Sequence, residues 1–269
     1  MSYGGLARTF RLARAFRAEQ SDPDFFYTTQ AADTVDQVRE YTPVEGRLVL
    51  DVGGGAGYFT KAFADAGARA VLIEPGAGAE VQVDVQKDLQ NEDEQRRRHA
   101  EAVKAGRLAK EASIAGDGYH LPVKSNAADL VLSSNVLEHV PDPEGLLDEL
   151  VRVTRPGGLI YVSFTTWYSP WGGHETAPWH FLGGERAARR YERRHGQPPG
   201  NRFGESLFAC HAGTVLRHLR RRTDVDVIDA LPRYHPRWLH WLVVVPGIRE
   251  FAVWNLLVVL RKGSHFSTP

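Results

Sequence analysis

Residues 49–57 read VLDVGGGAG, an apolar run followed by a glycine-rich turn, and this stretch decides the fold. The apolar run predicts a buried strand. The glycines predict a turn that comes close to a ligand, since a side chain would hold the backbone away from it. Gly53, Gly55 and Gly57 have the spacing GxGxG, whereas a dinucleotide turn needs a small residue at position 58, which is Tyr58 here. The pattern therefore predicts a nucleotide-type ligand other than a pyrophosphate.

The composition of the 269 residues limits the classes of function. Lys and Arg together number 33, as do Asp and Glu, so no net charge attracts the chain to nucleic acid. Cys210 is the only cysteine, which excludes an internal disulfide and a cysteine-based zinc cluster and indicates a reducing compartment. We expect a cytoplasmic protein without a nucleic-acid partner, large enough for one α/β domain.

From residue 47 onward, short apolar runs alternate with helical patterns, which predicts repeated βα units and a mostly parallel sheet. The predicted strands are 49–52, 70–73, 112–115, 129–133, 159–163, 225–231 and 253–260. The polar stretch 82–110 predicts a long solvated helix or an extended loop.

The chain is predicted to form one domain with four parts. They are an N-terminal helical extension at 1–44, a core at 45–164, an insertion at 165–210 and the last part of the sheet at 211–269. The extension contains a basic amphipathic helix and a second helix capped by Asp22. It is interpreted as a solvated cover, with a lid, a peripheral membrane contact or a homodimer contact as alternatives. The apolar segment 238–260 is interrupted by Pro246 and Arg249, which predicts core and not a membrane span.

Acidic residues stand at the ends of the first three predicted strands. Asp51 precedes the glycine turn, Glu74 ends the second strand and Asp117 follows the third. The carboxyl ends of parallel strands meet at one edge, where ligands of open α/β sheets bind. Glu74 suits a ribose diol, because a carboxylate accepts protons from both hydroxyls. An NAD(P)-dependent oxidoreductase would use such an acid too and is an alternative.

Five features together resemble the class I S-adenosylmethionine-dependent methyltransferases. They are VLDVGGGAG, Glu74, GDG at 116–118, ADLVLSSNVLEHV at 128–140 and RVTRPGG at 152–158. The resemblance implies a Rossmann-like methyltransferase fold, with a mostly parallel seven-stranded sheet between helices, and S-adenosylmethionine as the cofactor. It also implies cofactor contacts from Asp51, Gly53, Gly55, Gly57, Glu74, Asp117, Gly118 and Asn135, with Ser133 as an alternative to Asn135.

His139 is the first candidate for a catalytic base, because a histidine can take the proton of an acceptor hydroxyl near neutral pH. With Glu138 it is similar to the Glu-His pair of ubiquinone-biosynthesis O-methyltransferases, which implies a divalent metal site at Glu138 and His139, for instance for Mg²⁺. Asn135 replaces the first acid of that pattern. The structural alternative is that this segment begins a helix, and that Glu138 and His139 only cap the helix or pack against its neighbours.

The insertion is rich in aromatic residues and predicts a cap over the acceptor. It contains Trp167, Tyr168, Trp171, His174, Glu175, Trp179 and His180. Aromatic faces beside polar groups suit a sugar ring, although the tryptophans could equally form a small core of the cap. His174 and His180 are further candidate bases. The arginines at 186–194 predict the solvated face of a helix, or a contact with an anionic acceptor.

The cap and PRYHPRW at 232–238 resemble actinobacterial methyltransferases of cell-envelope or polysaccharide substrates, of the methylmannose polysaccharide type. Arg233 in that motif is expected either to close the acceptor pocket or to anchor the chain. The resemblance implies methyl transfer to a hydroxyl of a sugar, oligosaccharide or glycolipid. Small-molecule natural-product methylation and an inactive binding module remain alternatives.

Overall fold

The computed structural model of the protein describes residues 5–18, 21–75, 104 and 112–264. The polar stretch predicted at 82–110 therefore lies outside the described residues, apart from Lys104.

The described residues form one sheet with the strand order β3-β2-β1-β4-β5-β7-β6. Its strands are β1 (Leu48–Val52), β2 (Arg69–Glu74), β3 (Ser113–Ala115), β4 (Ala128–Ser134), β5 (Thr154–Thr165), β6 (Val225–Pro232) and β7 (Asn255–Lys262). All neighbouring strands are parallel except β7, which runs antiparallel to both β5 and β6. The predicted seven-stranded, mostly parallel sheet is confirmed.

Helices lie on both faces of this sheet. They are α1 (Leu6–Ala18), α2 (Pro23–Arg39), α3 (Tyr58–Asp65), α4 (Pro143–Val153), α5 (Gly184–His195), α6 (Ala212–Arg221) and α7 (Ile248–Ala252). Short 3₁₀ helices occur at Leu137–His139, His174–Thr176, Trp179–Leu182 and Arg237–Val243. Among the described residues, no helix combines the length and the apolar character that crossing a membrane would require.

The two faces of the sheet bury separate apolar clusters, because successive side chains of a strand point to opposite faces. On one face Leu50 packs with residues of α4 and α6, such as Leu146 and Leu219. On the other face Val49 packs with residues of α2 and α3, such as Val38 and Phe63. The sheet is therefore covered on both sides, and its carboxyl edge is left for a site.

The N-terminal helices are held by buried charge as well as by apolar contacts. Asp22 caps α2 as predicted, since its Oδ1 accepts a hydrogen bond from the Phe25 N–H at 3.1 Å. The interpretation of α1 as a purely solvated cover is wrong at Arg8, which is buried and donates to the Asp33 carboxylate at 2.6 Å. Arg8 also donates to the carbonyl of Arg233 at 3.1 Å, which joins α1 to the end of β6.

The prediction that 238–260 is core holds for β7 and is wrong for most of the residues before it. Trp238, Trp241, Val244 and Phe251 are all exposed. The physical reason is that only β7 enters the sheet, whereas the 3₁₀ helix and α7 before it lie outside the sheet. In the described part of the chain, no other element covers those four side chains.

Candidate active site

The glycine turn joins β1 to α3 at the carboxyl edge of the sheet. Gly53, Gly55 and Gly57 all have positive φ, which residues with a side chain rarely adopt. A Cβ on Gly53 would lie 2.6 Å from Cγ2 of Val136, whereas one on Gly55 would meet nothing within 4 Å. One side of the turn is thus packed against the segment after β4, and the other side is open.

Tyr58, the residue that distinguishes this turn from a dinucleotide turn, begins α3 and contacts α2. Its ring stacks on Tyr27 with 5.2 Å between centroids, and its hydroxyl donates to Asp24. The residue that replaces a small one therefore ties the turn to the N-terminal extension.

Asp51 lies beneath the turn. Its Oδ2 accepts hydrogen bonds from the Thr60 N–H at 3.0 Å and from the Thr60 hydroxyl at 2.7 Å. Burial raises the pKa of Asp51 to about 6, although both bonds from Thr60 oppose the shift. In the described residues Oδ1 has no hydrogen-bond partner. Asp51 thus holds the start of α3 against the turn.

Glu74 lies beside the open side of the turn. It ends β2, is buried, and its Oε2 accepts a hydrogen bond from the Gly55 N–H at 3.2 Å. A carboxylate here can accept from vicinal hydroxyls, and the open space at Gly55 lets a ligand approach the backbone. The turn and Glu74 together fit the ribose end of S-adenosylmethionine.

Asp117 lies just beyond β3, whose Ala115 is paired with Glu74. Its Oδ1 accepts from the Tyr119 N–H at 3.0 Å, and its Oδ2 lies 3.2 Å from Nδ1 of His120. Asp117 therefore forms a local turn with the two or three residues that follow it. A Cβ on Gly118 would lie 3.1 Å from Leu146, so the turn lies close to α4.

Asn135 follows β4 with a positive φ of 58°. Its N–H donates to the Ser163 carbonyl at 2.7 Å, and its Oδ1 accepts from the Asn255 side chain at the same distance. Ser133 is buried, and its hydroxyl has no partner among the described residues. The side-chain amide of Asn135 therefore joins the end of β4 to Asn255 at the start of β7.

Glu138, His139 and His174 come together at the carboxyl edge, and we name them the acid–imidazole cluster. One ligand atom from each lies within 4.8 Å of the others. Glu138 and His139 belong to the 3₁₀ helix after β4, and His174 comes from the insertion. The cluster is next to the glycine turn, since Val136, which packs on Gly53, is only two residues before Glu138.

Glu138 is the buried acid of the cluster. Its Oε1 accepts from the Thr165 N–H at 2.9 Å, and Oε2 has no hydrogen-bond partner among the described residues. Burial raises the pKa of Glu138, and the nearby His139 opposes that shift. A buried acid with one unsatisfied oxygen beside an imidazole is typical of a functional site.

The tautomer of His139 follows from its partner. Nδ1 lies 2.7 Å from the Ser206 carbonyl, which can only accept, so Nδ1 donates and the neutral ring has its lone pair on Nε2. The ring of His174 lies 5.1 Å away between centroids. Burial lowers the pKa of His174 to about 3, with help from His139 and His180, so His174 is neutral near pH 7. The two imidazoles therefore differ in their surroundings: His139 is bound to a backbone carbonyl, whereas His174 is held neutral by burial.

An aromatic groove of about 460 Å³ lies in the insertion. Its walls include Trp167, Tyr168, His180, Phe181, Arg186 and Phe203. Trp167 is buried and packs against His180 and Phe203 at ring distances of 5.2 and 5.0 Å, so it also belongs to the small core of the cap. His180 Nε2 donates to the Ser169 carbonyl at 3.1 Å, so this nitrogen has a structural role within the cap.

Two contributors to the site had no distinctive signal in the sequence. The Ser206 carbonyl and the Thr165 N–H are backbone groups, and only the tertiary fold brings them to His139 and Glu138. Arg233 did have a signal in PRYHPRW, and the structure favours its anchoring role. It is buried and donates to the hydroxyls of Ser134, Ser163 and Thr34 at 2.9, 2.7 and 2.9 Å.

Comparisons with known proteins agree with this geometry. The family described as methyltransferase domain matches residues 50–162. An uncharacterized methyltransferase of Mycolicibacterium gilvum is 45% identical over 262 residues, which cover 95% of this chain and 94% of that protein. One from Mycobacterium leprae is 44% identical over 266 residues, which cover 95% and 90%.

Solved structures support the fold. An S-adenosylmethionine-dependent methyltransferase from Mesorhizobium loti superposes with a TM-score of 0.52 at 19% identity, over 84% of this chain and 96% of that one. The strand order, the glycine turn with Glu74 and the close relatives lead to one conclusion. The chain belongs to the class I S-adenosylmethionine-dependent methyltransferases.

Proposed function

We propose that this methyltransferase acts in the cytoplasm on a hydroxyl of a sugar, oligosaccharide or glycolipid, with His139 as the general base. The observation that carries the proposal is the acid–imidazole cluster beside the glycine turn. A hydroxyl acceptor must lose its proton as the new bond forms, and a placed imidazole supplies that function.

The hydrogen bonds of His139 suit a base. With Nδ1–H held by the Ser206 carbonyl, Nε2 is left to take the acceptor proton. S-adenosylmethionine, when bound, supplies a methyl group that leaves for the acceptor oxygen while the sulfur keeps the electron pair of the broken bond. The imidazolium formed at His139 is stabilised by the carboxylate of Glu138, just as His139 favours the ionised form of Glu138.

The aromatic groove supports a sugar as the acceptor. The groove is shallow and open to solvent, and its walls combine aromatic faces with the guanidinium of Arg186. The apolar face of a pyranose can stack on an indole or phenol ring while its hydroxyls find donors and acceptors. His174, whose ring lies near that of His139, belongs to the same insertion as this groove.

A metal-assisted variant of the reaction would use the same three residues. Two imidazoles and one carboxylate suit a transition metal better than Mg²⁺, which prefers oxygen ligands and retains several waters. Oε2 of Glu138 and Nε2 of His174, which have no hydrogen-bond partner in the part of the chain that the structure describes, are the atoms that would bind such an ion. In that case His139 would be a ligand and not a base.

The test is transfer of a labelled methyl group to a panel of sugars, partly methylated sugars, phenols and lipids, with Mg²⁺ or Mn²⁺ and with a chelator. Turnover with a sugar hydroxyl that survives the chelator supports the proposal. Turnover restricted to phenols assigns the protein to small-molecule methylation, and turnover abolished by the chelator assigns His139 to a metal.

The His139→Ala variant should lower kcat by about two to four decades, because that is the usual contribution of a general base. Donor affinity, measured by calorimetry, should be unchanged. His195→Ala, at the exposed end of α5, is the matched control and should retain full turnover. Near-normal turnover of His139→Ala would rule out the base role.

A further inference from the structure

The residues before β7 form an exposed apolar surface that the sheet does not use. We name it the aromatic face, and it comprises Trp238, Trp241, Val244, Ile248, Phe251 and Trp254. Trp238 is 68% exposed, Val244 66% and Phe251 58%. Single exposed apolar side chains are ordinary on a monomer, whereas an accumulation of them in one segment is typical of an interaction surface.

Within the segment 237–254, the exposed charge is a cation. Arg237 is exposed beside Trp238, and Glu250 is the only acid in the segment 237–254. The Glu250 carboxylate accepts from the N–H groups of Ala212 and Gly213 at 3.1 and 2.7 Å, so it is bound by the protein itself. The face therefore offers apolar side chains and a cation, with no free acid.

The aromatic face is continuous with α1 and with the insertion. Trp254 packs on Trp171 with 4.7 Å between ring centroids, and Trp171 packs edge-on against Phe16 of α1 at 5.2 Å. Phe251 stacks on Tyr168, a wall of the aromatic groove, at 5.1 Å. The groove thus opens beside the exposed apolar surface.

Helix α1 has the same chemistry on its exposed side. Leu6 and Phe10 are exposed, and so are Arg14 and Arg17 on the same helix. Exposed apolar side chains with arginines between them are typical of helices that lie in the headgroup region of a membrane. Tryptophan in particular prefers that region, because its ring is apolar and its N–H is polar.

We propose that the aromatic face and α1 dock on the surface of an anionic lipid bilayer, and that the acceptor is a glycolipid whose headgroup enters the aromatic groove. The second part rests on the proposed function. Arginine is attracted to acidic headgroups, and the apolar side chains enter the boundary with the acyl chains. A symmetric dimer through this face is less favourable, because Arg237 of each copy would be buried with no acid on the face to pair with it.

The experiment is sedimentation of the full-length protein with vesicles of phosphatidylcholine alone and of phosphatidylcholine with about 30% phosphatidylglycerol, an anionic lipid. The wild-type protein should bind the anionic vesicles and be released by salt. The double variant Trp238→Glu and Trp241→Glu should lose about tenfold or more in partitioning, since binding scales with buried apolar area. Ile114→Glu, which introduces one such charge at an exposed apolar position of the edge strand β3, should bind like the wild type.

Absence of wild-type binding, equal binding to neutral vesicles or unchanged binding of the double variant overturns the proposal. A wild-type dimer that the double variant dissociates, without vesicle binding, assigns the face to a second copy of the chain and also overturns it. Circular dichroism of each variant checks the fold. The double variant should keep its donor affinity and its turnover of a water-soluble sugar, while His139→Ala should keep vesicle binding, so failure here is distinguishable from failure of the proposed function.

Discussion

The two halves of the candidate site are built in different ways. The donor half is one stretch of chain, in which Asp51, the glycine turn and Thr60 bond to each other within ten residues, and Glu74 joins from the neighbouring strand. The acceptor half is assembled from distant parts, since Glu138 bonds to Thr165, and His139 bonds to Ser206 and packs near His174. Local bonds fix the first half, and tertiary packing fixes the second.

This difference explains how the halves respond to change. The donor half consists mainly of backbone N–H groups and glycines with positive φ. A single added methyl group should therefore be enough to obstruct donor binding there. In the acceptor half, buried ionisable groups dominate, so it should be sensitive to pH. Substitutions that act on one half alone can therefore test whether the halves are independent.

The largest effect is expected from Gly55→Ala. Gly55 has a φ of +53° and no neighbour within 4 Å of a built Cβ, so the fold should tolerate the methyl group at a cost of about 1 kcal/mol for the backbone. The methyl group would occupy the open side of the turn beside Glu74. Donor affinity, measured by calorimetry, should fall about a hundredfold, which is close to 3 kcal/mol.

Gly46→Ala is the matched control. Gly46 also has a positive φ, +72°, and no neighbour within 4 Å, but it precedes β1 at the opposite edge of the sheet. Both variants should lose similar unfolding free energy, and only Gly55→Ala should lose donor affinity. Equal donor affinities would mean that the open side of the turn does not face the donor.

The same difference explains how much the sequence could predict. The strands, the glycine turn and the cap of α2 follow from patterns within a few residues and were found close to the predicted positions. The largest difference is that β5 begins at Thr154, five residues before its predicted start, and so includes Pro156, Gly157 and Gly158. The sequence also proposed Glu138, His139 and His174 one by one, but their approach to within 4.8 Å depends on how the insertion folds back onto β4.

The sequence patterns did not predict the burial of charged Arg8 or the exposure of the apolar residues Trp238 and Trp241. Arg8 looked like one solvated arginine among several, because its partner Asp33 lies 25 residues away and the contact with Arg233 crosses nearly the whole chain. Trp238 and Trp241 looked like core, because hydropathy does not reveal whether a neighbouring element covers a segment. Both errors concern long-range contacts.

The next effect concerns acid sensitivity of the acceptor half. The pKa of His174 is lowered by burial to about 3, below its ordinary value of 6.5, so the unfolded chain binds a proton that the folded protein does not. The contribution of His174 to stability should therefore fall as pH decreases from 6.5, by about 3 kcal/mol at pH 4. His174→Asn removes this loss, and asparagine tolerates the positive φ of this position.

Denaturant unfolding at pH 7 and pH 4, with a chelator present, measures the effect. The variant should lose less unfolding free energy between the two pH values than the wild-type protein, and His195→Asn should behave like the wild type. The raised pKa of Glu138 acts in the opposite direction, but both proteins share it. Identical pH dependence of wild type and His174→Asn would show that His174 is hydrated.

A smaller effect of opposite sign is expected in the donor half. Burial raises the pKa of Asp51 from 3.8 to about 6, so the folded protein holds a proton that the unfolded chain releases between these values. The contribution of Asp51 to stability should therefore fall by about 2 kcal/mol as pH rises from 4 to 6, which partly offsets the gain from His174 over the same range. Asp51→Asn should abolish that loss, since the amide oxygen can still accept both bonds from Thr60.

Donor titration of Asp51→Asn then decides what Asp51 does. Its bonds to Thr60 make it a structural group of the turn, whereas Oδ1, which lacks a partner among the described residues, leaves one oxygen for a ligand. If the donor half depends on the turn alone, the variant should bind the donor like the wild type at pH 7, with only its pH dependence of unfolding changed. A loss of affinity of about tenfold, equivalent to about 1.4 kcal/mol, would instead make Asp51 a donor ligand. The local bonds of the donor half would then serve to aim a carboxylate as well as to shape the backbone.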